Sequence, residues 1–251
     1  MSIKLEHVVL ASPEQMEFII EGMRNPMNSW DKSDSVPVEP NTECPGADHC
    51  ALNNECDRCN ETSKAGYIIG PNDYDLMLKL CRAGTDHRKY MRMMPVYAKI
   101  TAPLYWWKEF DTYKVGTVAN SCSTMHKIHE KEFTIDDFSC EHLFNVSHDV
   151  TSPKINGLEC TSTGVLEHVI TALNFYRKLY LTTKLKPYWW QMIQLLPSSY
   201  NQTRNVMMNY EVLANIYKSR KNHKLDEWRD VIAWIETLPY SELITGEENN
   251  V

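Results

Sequence analysis

The sequence predicts a protein of mixed helices and strands. Residues 164–183 carry apolar side chains at the 3.6-residue spacing of an amphipathic helix. Residues 95–101 are rich in β-branched and aromatic residues, which favour a strand. Residues 25–66 differ from both, because they are rich in Pro, Asn and Asp, contain four Cys and have almost no apolar periodicity. We therefore expect an α/β fold interrupted by an irregular Cys-rich insertion at about 25–66.

The first two helices have clear start and stop signals. Ser12 can cap a helix, Pro13 suits the first helical position, and Gln15 completes a capping box. This helix is expected to end near Gly22. A second helix is expected to open at Asn72-Asp73-Tyr74-Asp75 and to reach toward Gly84.

The remainder of the chain is expected to alternate between short extended segments and helices. Pro187 and Pro239 bound two of the helices, because proline suits a first turn and cannot continue a helix. The expected elements are, in order, the strand at 95–101, a short helix or extended turn at 105–107, a segment at 113–123, loops and short elements over 131–160, the helix at 164–183, a short helix from Pro187 to Leu195, and helices near 203–219 and 225–238.

The charge and the apolar pattern exclude several classes of protein. The net charge of −7 argues against a nucleic-acid-binding protein, which would usually carry an excess of Lys and Arg. No window approaches the ~18 apolar residues that a membrane helix requires, and the N-terminus lacks the apolar run of a signal peptide. We therefore expect a cytoplasmic protein without a nucleic-acid or membrane partner, whose eight Cys are thiols or metal ligands.

The insertion contains a candidate metal site. Cys44, Cys50, Cys56 and Cys59 fall within sixteen residues, and the last pair has the C-x2-C spacing that lets two thiolates reach one tetrahedral ion. Zn²⁺ is the favoured ion, although four thiolates also suit an iron–sulfur cluster. The alternative is a loop of free thiols.

Three motifs have the spacing of one enzyme family. Leu196-Pro197 is followed by Asn209, twelve residues after the Pro, and by Arg220, eleven residues later. Asn120 and Ser123 match the Asn and Ser of a second motif, and a Gly-x-x-His segment ends at His87. Over roughly residues 67–244, and in the N-terminal helix, the chain resembles the flavin-dependent thymidylate synthases.

The resemblance implies a fold, an assembly and a reaction. The fold is a curved, mostly antiparallel sheet flanked by helices, so that residues 1–251 form one domain with the Cys-rich insertion. The assembly is a homotetramer that shares FAD sites at its interfaces. In the reaction NADPH reduces the flavin, methylenetetrahydrofolate gives its one-carbon unit to C5 of dUMP, and reduced FAD completes the conversion to dTMP.

The resemblance also implies roles for six residues. Arg220 is expected to contact the pyrimidine and the flavin and to stabilise charge on the uracil ring. The cofactor-binding residues are expected to be His87, Lys114 and Asn209, and the substrate-binding residues Asn120 and Ser123 together with Arg220. Plainer roles compete with these: turn formation for Asn120 and Ser123, surface positions for His87, Lys114 and Arg220, and a helix-pairing hydrogen bond for Asn209.

The sequence departs from the family pattern at charged positions. The Arg-His-Arg triplet falls on Tyr113-Lys114-Val115, a phosphate-binding Arg becomes Met125, and a later Arg becomes Glu211. Either another cation takes over the phosphate, with Lys114, Lys127 and Arg204 as candidates, or the ligand differs. Two alternatives therefore stay open: a diverged relative that modifies or binds another pyrimidine nucleotide, and a zinc-bearing interaction protein without catalysis.

Overall fold

The computed structural model describes residues 3–37, 67–145, 154–155 and 158–246. Among these residues the α-helices are α1 (Pro13–Arg24), α2 (Pro71–Arg82), α3 (Leu104–Phe110), α4 (Ser162–Thr183), α5 (Lys186–Leu195), α6 (Tyr210–Arg220), α7 (Asp226–Glu236) and α8 (Glu242–Thr245). The strands are β1 (Lys4–Leu10), β2 (Val36–Pro37), β3 (Tyr67–Ile68), β4 (Pro95–Pro103), β5 (Val118–Ser121), β6 (Lys154–Ile155), β7 (Leu158–Glu159) and β8 (Asn201–Asn209).

The main sheet has four strands in the order β1-β4-β8-β5. The amide of Tyr210 donates to the carbonyl of Met94 at 3.1 Å, whereas the amide of Leu104 donates to the carbonyl of Tyr200 at 3.0 Å. Because the partner moves backwards along β8 as β4 advances, these two strands are antiparallel. Two short ribbons, β2-β3 and β6-β7, are antiparallel as well. The predicted α/β class with antiparallel pairing is confirmed.

The chain divides into two compact units. The first unit contains residues 1–4, 99–112 and 120–205, and the second contains residues 5–98, 113–119 and 206–251. The single-domain interpretation stays a prediction.

The core of the first unit lies between α4, α5 and the segment that precedes α4. Its buried side chains are apolar: Ile128, Phe133, Phe138, Leu166, Leu173 and Met192. Trp106 and Trp107 of α3 are also buried, so this pair is core, whereas Trp190 of α5 is exposed. Thr161 begins α4 by accepting a hydrogen bond from the amide of Gly164.

The core of the second unit is built around α6, which packs against α7 and α8. Leu213 and Ile216 of α6 and Trp228 of α7 are fully buried. At the start of α1 the capping box between Ser12 and Gln15 forms as predicted, with the Gln15 amide 3.3 Å from the Ser12 hydroxyl. The α2 helix also lies close to its predicted bounds.

The prediction of one helix over 203–219 is wrong for its first part. Residues 201–209 form the strand β8, and the helix α6 begins only at Tyr210. Gln202, Val206 and Met208 are buried while Asn205 is exposed, which fits the two-residue period of a strand. Met207 and Met208 favour a helix intrinsically, but pairing with β4 and β5 overrides that preference.

A buried ion pair lies at the base of the Cys-rich insertion. The guanidinium of Arg24 at the end of α1 donates to the carboxylate of Asp73 in α2, and both side chains are almost inaccessible to solvent. The other carboxylate oxygen accepts from the hydroxyl groups of Ser33 at 2.8 Å and Ser35 at 2.6 Å, and from the amide of Asp34 at 3.1 Å. Burial alone would raise the pKa of Asp73, but these hydrogen bonds together lower it below its ordinary value.

The two ends of the insertion also pair directly. β2 and β3 are in register with Val36 opposite Ile68. The carboxylate of Asp34 caps α2 by accepting from the amides of Asn72 at 2.9 Å and Asp73 at 3.1 Å. Residues 34–37 and 67–73 therefore lie side by side in the second unit.

Candidate functional site

Arg220 is the last residue of α6, and its side chain packs against aromatic rings. Its Nε donates a hydrogen bond to the hydroxyl of Tyr113 at 3.0 Å. Its guanidinium carbon is 4.9 Å from the ring centre of Trp228 and 5.7 Å from that of Tyr113. The rings of Tyr113 and Trp228 meet edge to face at 6.2 Å. These three residues, together with His223, are the Arg220 cluster.

The chain after α6 folds back to complete the Arg220 cluster. The amide of His223 donates to the carbonyl of Arg220 at 2.9 Å. The Nδ1 of His223 accepts from the amide of Leu225 at 3.2 Å, so the ring carries its proton on Nε2 when neutral. The His223 ring lies 6.3 Å from that of Trp228, which is fully buried near the start of α7. A cation thus lies on a rigid aromatic support, a geometry that stabilises positive charge.

Residues 113–117 form a short loop that packs alongside α6 and contacts both of its ends. Tyr113 contacts the carboxyl end of the helix, and Gly116 contacts its amino end. Gly116 has φ of +79°, and a Cβ there would lie 3.0 Å from Nδ2 of Asn209 and 3.1 Å from Cγ2 of Val212. A side chain at this position would strain the left-handed backbone and would require Asn209 or Val212 to shift by a few tenths of an ångström.

Asn209 is the N-cap of α6. Its Oδ1 accepts from the amide of Val212 at 2.9 Å, and the residue is buried. Asn209 and Arg220 lie at opposite ends of an eleven-residue helix, which separates them by about 16 Å along the axis. The structure therefore does not bring the two motif residues together, and it explains the Asn by a capping role. Cofactor binding by Asn209 stays a prediction.

Lys114 and His87 are exposed. Lys114 follows Tyr113 in the loop, and among the described residues it makes no ion pair. The two other candidate cations are engaged, because Lys127 pairs with Glu130 at 2.5 Å and Arg204 pairs with Asp111 at 2.7 Å. Of the three candidates, Lys114 is thus the one without an ion pair among the described residues.

Arg88, the residue after His87, is bonded to the first turn of α6. Arg88 forms a two-point ion pair with Glu211 in the first turn of α6, at 2.7 and 3.1 Å. Glu211 is the residue that the sequence comparison placed at an Arg position of the resembled family, and here its carboxylate pairs with Arg88. The pair fixes the turn that carries His87 to α6.

Asn120 and Ser123 lie in the first unit. Asn120 is exposed in β5, and Ser123 follows the strand. The Ser123 hydroxyl accepts from the amides of Met125 at 3.3 Å and His126 at 2.8 Å, which is turn chemistry. A substrate-binding role for either residue stays a prediction.

The predicted metal ligands Cys44, Cys50, Cys56 and Cys59 lie outside the described residues. Among the residues that are described, no group of three or more His, Cys, Asp or Glu is placed to hold a metal ion. In the same part of the chain, no helix is long and apolar enough to cross a lipid bilayer.

No family model matches the chain, and no curated protein matches it. Solved structures do match. Thymidylate Synthase X (ThyX) from Helicobacter pylori, with FAD and dUMP, has a TM-score of 0.58 at 15% sequence identity and covers 98% of this chain and 97% of that chain. A flavin dependent thymidylate synthase ThyX from the same organism, also complexed with FAD and dUMP, has a TM-score of 0.57 at 14% identity over 98% of each chain.

The chain has the fold of the flavin-dependent thymidylate synthases. A UMP/dUMP methylase, PolB from Streptomyces cacaoi bound with 5-Br dUMP, shares it with a TM-score of 0.56 at 13% identity, over 98% of this chain and 96% of that chain. At these identities the likeness establishes the thymidylate synthase fold and leaves the activity to be argued from the site.

Tyr113, Trp228 and His223 were missed as site residues from the sequence. Tyr113 attracted notice only as a departure from a triplet, and Trp228 has the spacing of an ordinary core residue on α7. The sequence offers only two signals for them. An aromatic residue occupies a family cation position, at 113, and another aromatic residue follows Arg220 by eight residues.

Proposed function

We propose that this protein is a flavin-dependent enzyme that methylates a uridine nucleotide, with dUMP as substrate and dTMP as product. The observation that carries the proposal is the Arg220 cluster, a guanidinium held on Trp228 and Tyr113 at the end of α6. The likeness in fold to two thymidylate synthases solved with FAD and dUMP supports it. The proposed co-substrates are NADPH and methylenetetrahydrofolate, and the proposed compartment is the cytoplasm.

The residues of the second unit fit parts of a flavin dinucleotide. Lys114 is an exposed cation beside a glycine with a left-handed backbone, a combination suited to a pyrophosphate. His87 offers a second exposed polar group. Bound FAD would supply hydride chemistry that amino-acid side chains lack. The chain's own task is then to bind and orient, with Arg220 stabilising negative charge on the uracil ring.

The described cysteines support a mechanism without a thiolate nucleophile. The thiol of Cys81 donates to the carbonyl of Leu243 at 3.1 Å inside the second unit. Burial raises the pKa of Cys81, so its thiolate form is disfavoured. Cys122, Cys140 and Cys160 are free thiols in the first unit, outside the Arg220 cluster. A flavin enzyme needs no such nucleophile.

Another uridine nucleotide is the second candidate substrate. Met125 cannot replace a phosphate-binding Arg, and Tyr113 bonds to Arg220 in place of the first cation of the triplet. These substitutions favour a substrate whose phosphate or sugar is held differently. The UMP/dUMP methylase among the structural neighbours makes UMP the natural comparison.

We also propose a homotetramer. Large apolar side chains on α4, α5 and the turn between them are exposed: Phe175 at 56%, Leu185 at 54% and Trp190 at 42%. Burying such residues against another subunit is favourable. Light scattering coupled to size-exclusion chromatography should give four times the mass of one chain, and a monomeric mass would contradict the proposal.

Release of tritium from 5-tritiated dUMP tests the proposed reaction. The purified protein, supplied with FAD, NADPH and methylenetetrahydrofolate, should release tritium and form dTMP. Omission of the flavin or the folate should abolish dTMP formation. 5-Tritiated UMP in the same assay tests the second candidate. Flavin-loaded protein that releases no tritium from either nucleotide would contradict the proposed function.

A further inference from the structure

The Nε of Arg220 and one face of its guanidinium both have defined partners. Its Nε donates to the Tyr113 hydroxyl at 3.0 Å, and its guanidinium lies over the Trp228 ring. A guanidinium is planar and rigid. One hydrogen bond at Nε together with one stacked face therefore fixes both the position and the direction of the terminal amino groups.

Tyr113 is itself held in place. Its ring is half-buried and meets the Trp228 ring edge to face at 6.2 Å. Three residues later the same loop packs tightly on α6, where a Cβ at Gly116 would lie 3.0 Å from Nδ2 of Asn209 and 3.1 Å from Cγ2 of Val212. Both ends of α6 thus constrain the segment on which the hydroxyl sits.

We propose that Tyr113 is a positioning residue for Arg220, one that orients the guanidinium for the uridine nucleotide. The proposal rests on the proposed function. Tyr113 stands at the first position of the triplet that holds a cation in the resembled family. A cation at position 113 would repel Arg220, whereas the Tyr113 hydroxyl oxygen accepts a hydrogen bond from Nε of Arg220. In this chain residue 113 carries no charge and instead holds the guanidinium of Arg220 in place. The nucleotide therefore meets a cation that is already oriented.

The Tyr113→Phe variant tests the anchor, because it keeps the ring and removes the acceptor. Calorimetric titration with dUMP, in the presence of FAD, should show the Kd rise about tenfold, the loss expected for a hydrogen bond to a charged group. Tyr217→Phe is the matched control. Tyr217 lies on α6 like Arg220, but its hydroxyl donates to Glu236 of α7 at 2.9 Å. Its loss should leave the Kd for dUMP unchanged.

A double-mutant cycle separates positioning from a structural role. Lysine carries a compact charge and lacks the planar guanidinium that the Tyr113 hydroxyl is proposed to orient, so in an Arg220→Lys background Tyr113→Phe should change the Kd by less than about twofold. If Tyr113 only stabilised the fold, its replacement would weaken dUMP binding equally in both backgrounds and would lower the melting temperature. That result would overturn the proposal.

The same titrations distinguish failure of the positioning role of Tyr113 from failure of the proposed function. Loss of dUMP binding in Arg220→Ala, with unchanged binding in Tyr113→Phe, overturns the positioning role alone. Absence of dUMP binding by the flavin-loaded wild type overturns both the positioning role and the proposed function.

Discussion

Arg220 shows how far a residue's role can be inferred from its spacing along the chain. The spacing from Leu196-Pro197 singles out this arginine. Its contacts come from elsewhere, because Tyr113 lies 107 residues upstream and Trp228 lies on the next helix. Such contacts depend on tertiary structure, so local patterns do not reveal them.

Asn209 was identified by the same spacing and has a different explanation. An Asn placed before a helix accepts from the amide three residues later, as it does here with Val212. The prediction of a continuous helix hid this role, since a residue inside a helix cannot be its cap. Once β8 and α6 are separated at residue 209, the sequence Asn-Tyr-Glu-Val is an ordinary capped start.

Gly116 gives a prediction at the residue scale. Gly116→Ala should destabilise the protein by about 2–5 kcal/mol, from left-handed backbone strain and from the contact with Asn209. Gly84→Ala is the control, because Gly84 also has a positive φ, +101°, but nothing lies within 4 Å of its added Cβ. It should cost only about 1–2 kcal/mol. Equal losses in urea unfolding would show that the close approach to Asn209 is unimportant.

Asp73 gives a prediction about pH. Its folded-state pKa is lowered, so its stabilisation is present above the unfolded value of about 3.9 and is lost as the pH falls through the folded value. Asp73→Asn leaves the Arg24 charge buried without its partner and should cost about 3–5 kcal/mol at neutral pH.

The melting temperatures of wild type and Asp73→Asn should begin to converge as the pH falls below about 4, and should meet once the pH lies below the lowered folded-state pKa of Asp73. Glu130→Gln is the control. Its ion pair with Lys127 is exposed, so it should change stability little at any pH. A difference between wild type and Asp73→Asn that stays constant from pH 7 to pH 3 would contradict this account.

At the scale of elements, those with complete local signals were predicted well. The capping box at Ser12, the strand at β4 and the long helix α4 all formed near their expected bounds. β8 was missed because its methionines favour a helix and its strand character comes from pairing with β4 and β5. The cap of α2 was missed because it comes from Asp34, across the insertion.

The contact between the His87 turn and α6 depends on one ion pair. Arg88 and Glu211 are largely buried, so Arg88→Met leaves an unpaired carboxylate and should cost about 3–5 kcal/mol. Adding Glu211→Leu should recover most of that loss, since two apolar side chains replace a buried pair at little cost. Urea unfolding of the single and double variants measures the coupling. Losses that simply add would show that the two side chains act independently.

The Cys-rich insertion keeps its zinc prediction, which depends on the sequence alone. Cys56→Ser with Cys59→Ser should remove bound zinc and lower the melting temperature. The paired change Cys122→Ser with Cys140→Ser is the control, because these thiols are free in the first unit. Metal analysis of both variants measures how much zinc each one binds. Full zinc content with an unchanged melting curve in the first variant would remove the idea of a metal-stabilised loop.

For the whole molecule, the fold was predicted more completely than the site. Spacing of apolar residues and a few motif residues sufficed to indicate the flavin-dependent thymidylate synthase fold, although no family model matches the chain. The charged positions follow the family less closely, with Tyr113, Met125 and Glu211 where cations were expected. Many different apolar sequences can form the same core, whereas each charged residue in a binding site must match a particular group of the ligand.

The central claim is that Arg220 binds and activates a uridine nucleotide. Tritium release from 5-tritiated dUMP, compared between Arg220→Ala and Arg229→Ala, tests it most directly. Arg229 is an exposed arginine on α7 that pairs with Asp226 at 2.9 Å, so its loss should leave the rate unchanged. Loss of Arg220 should lower the rate by about 100-fold or more. An Arg220→Ala protein that keeps its flavin, its fold and the full wild-type rate would contradict the account.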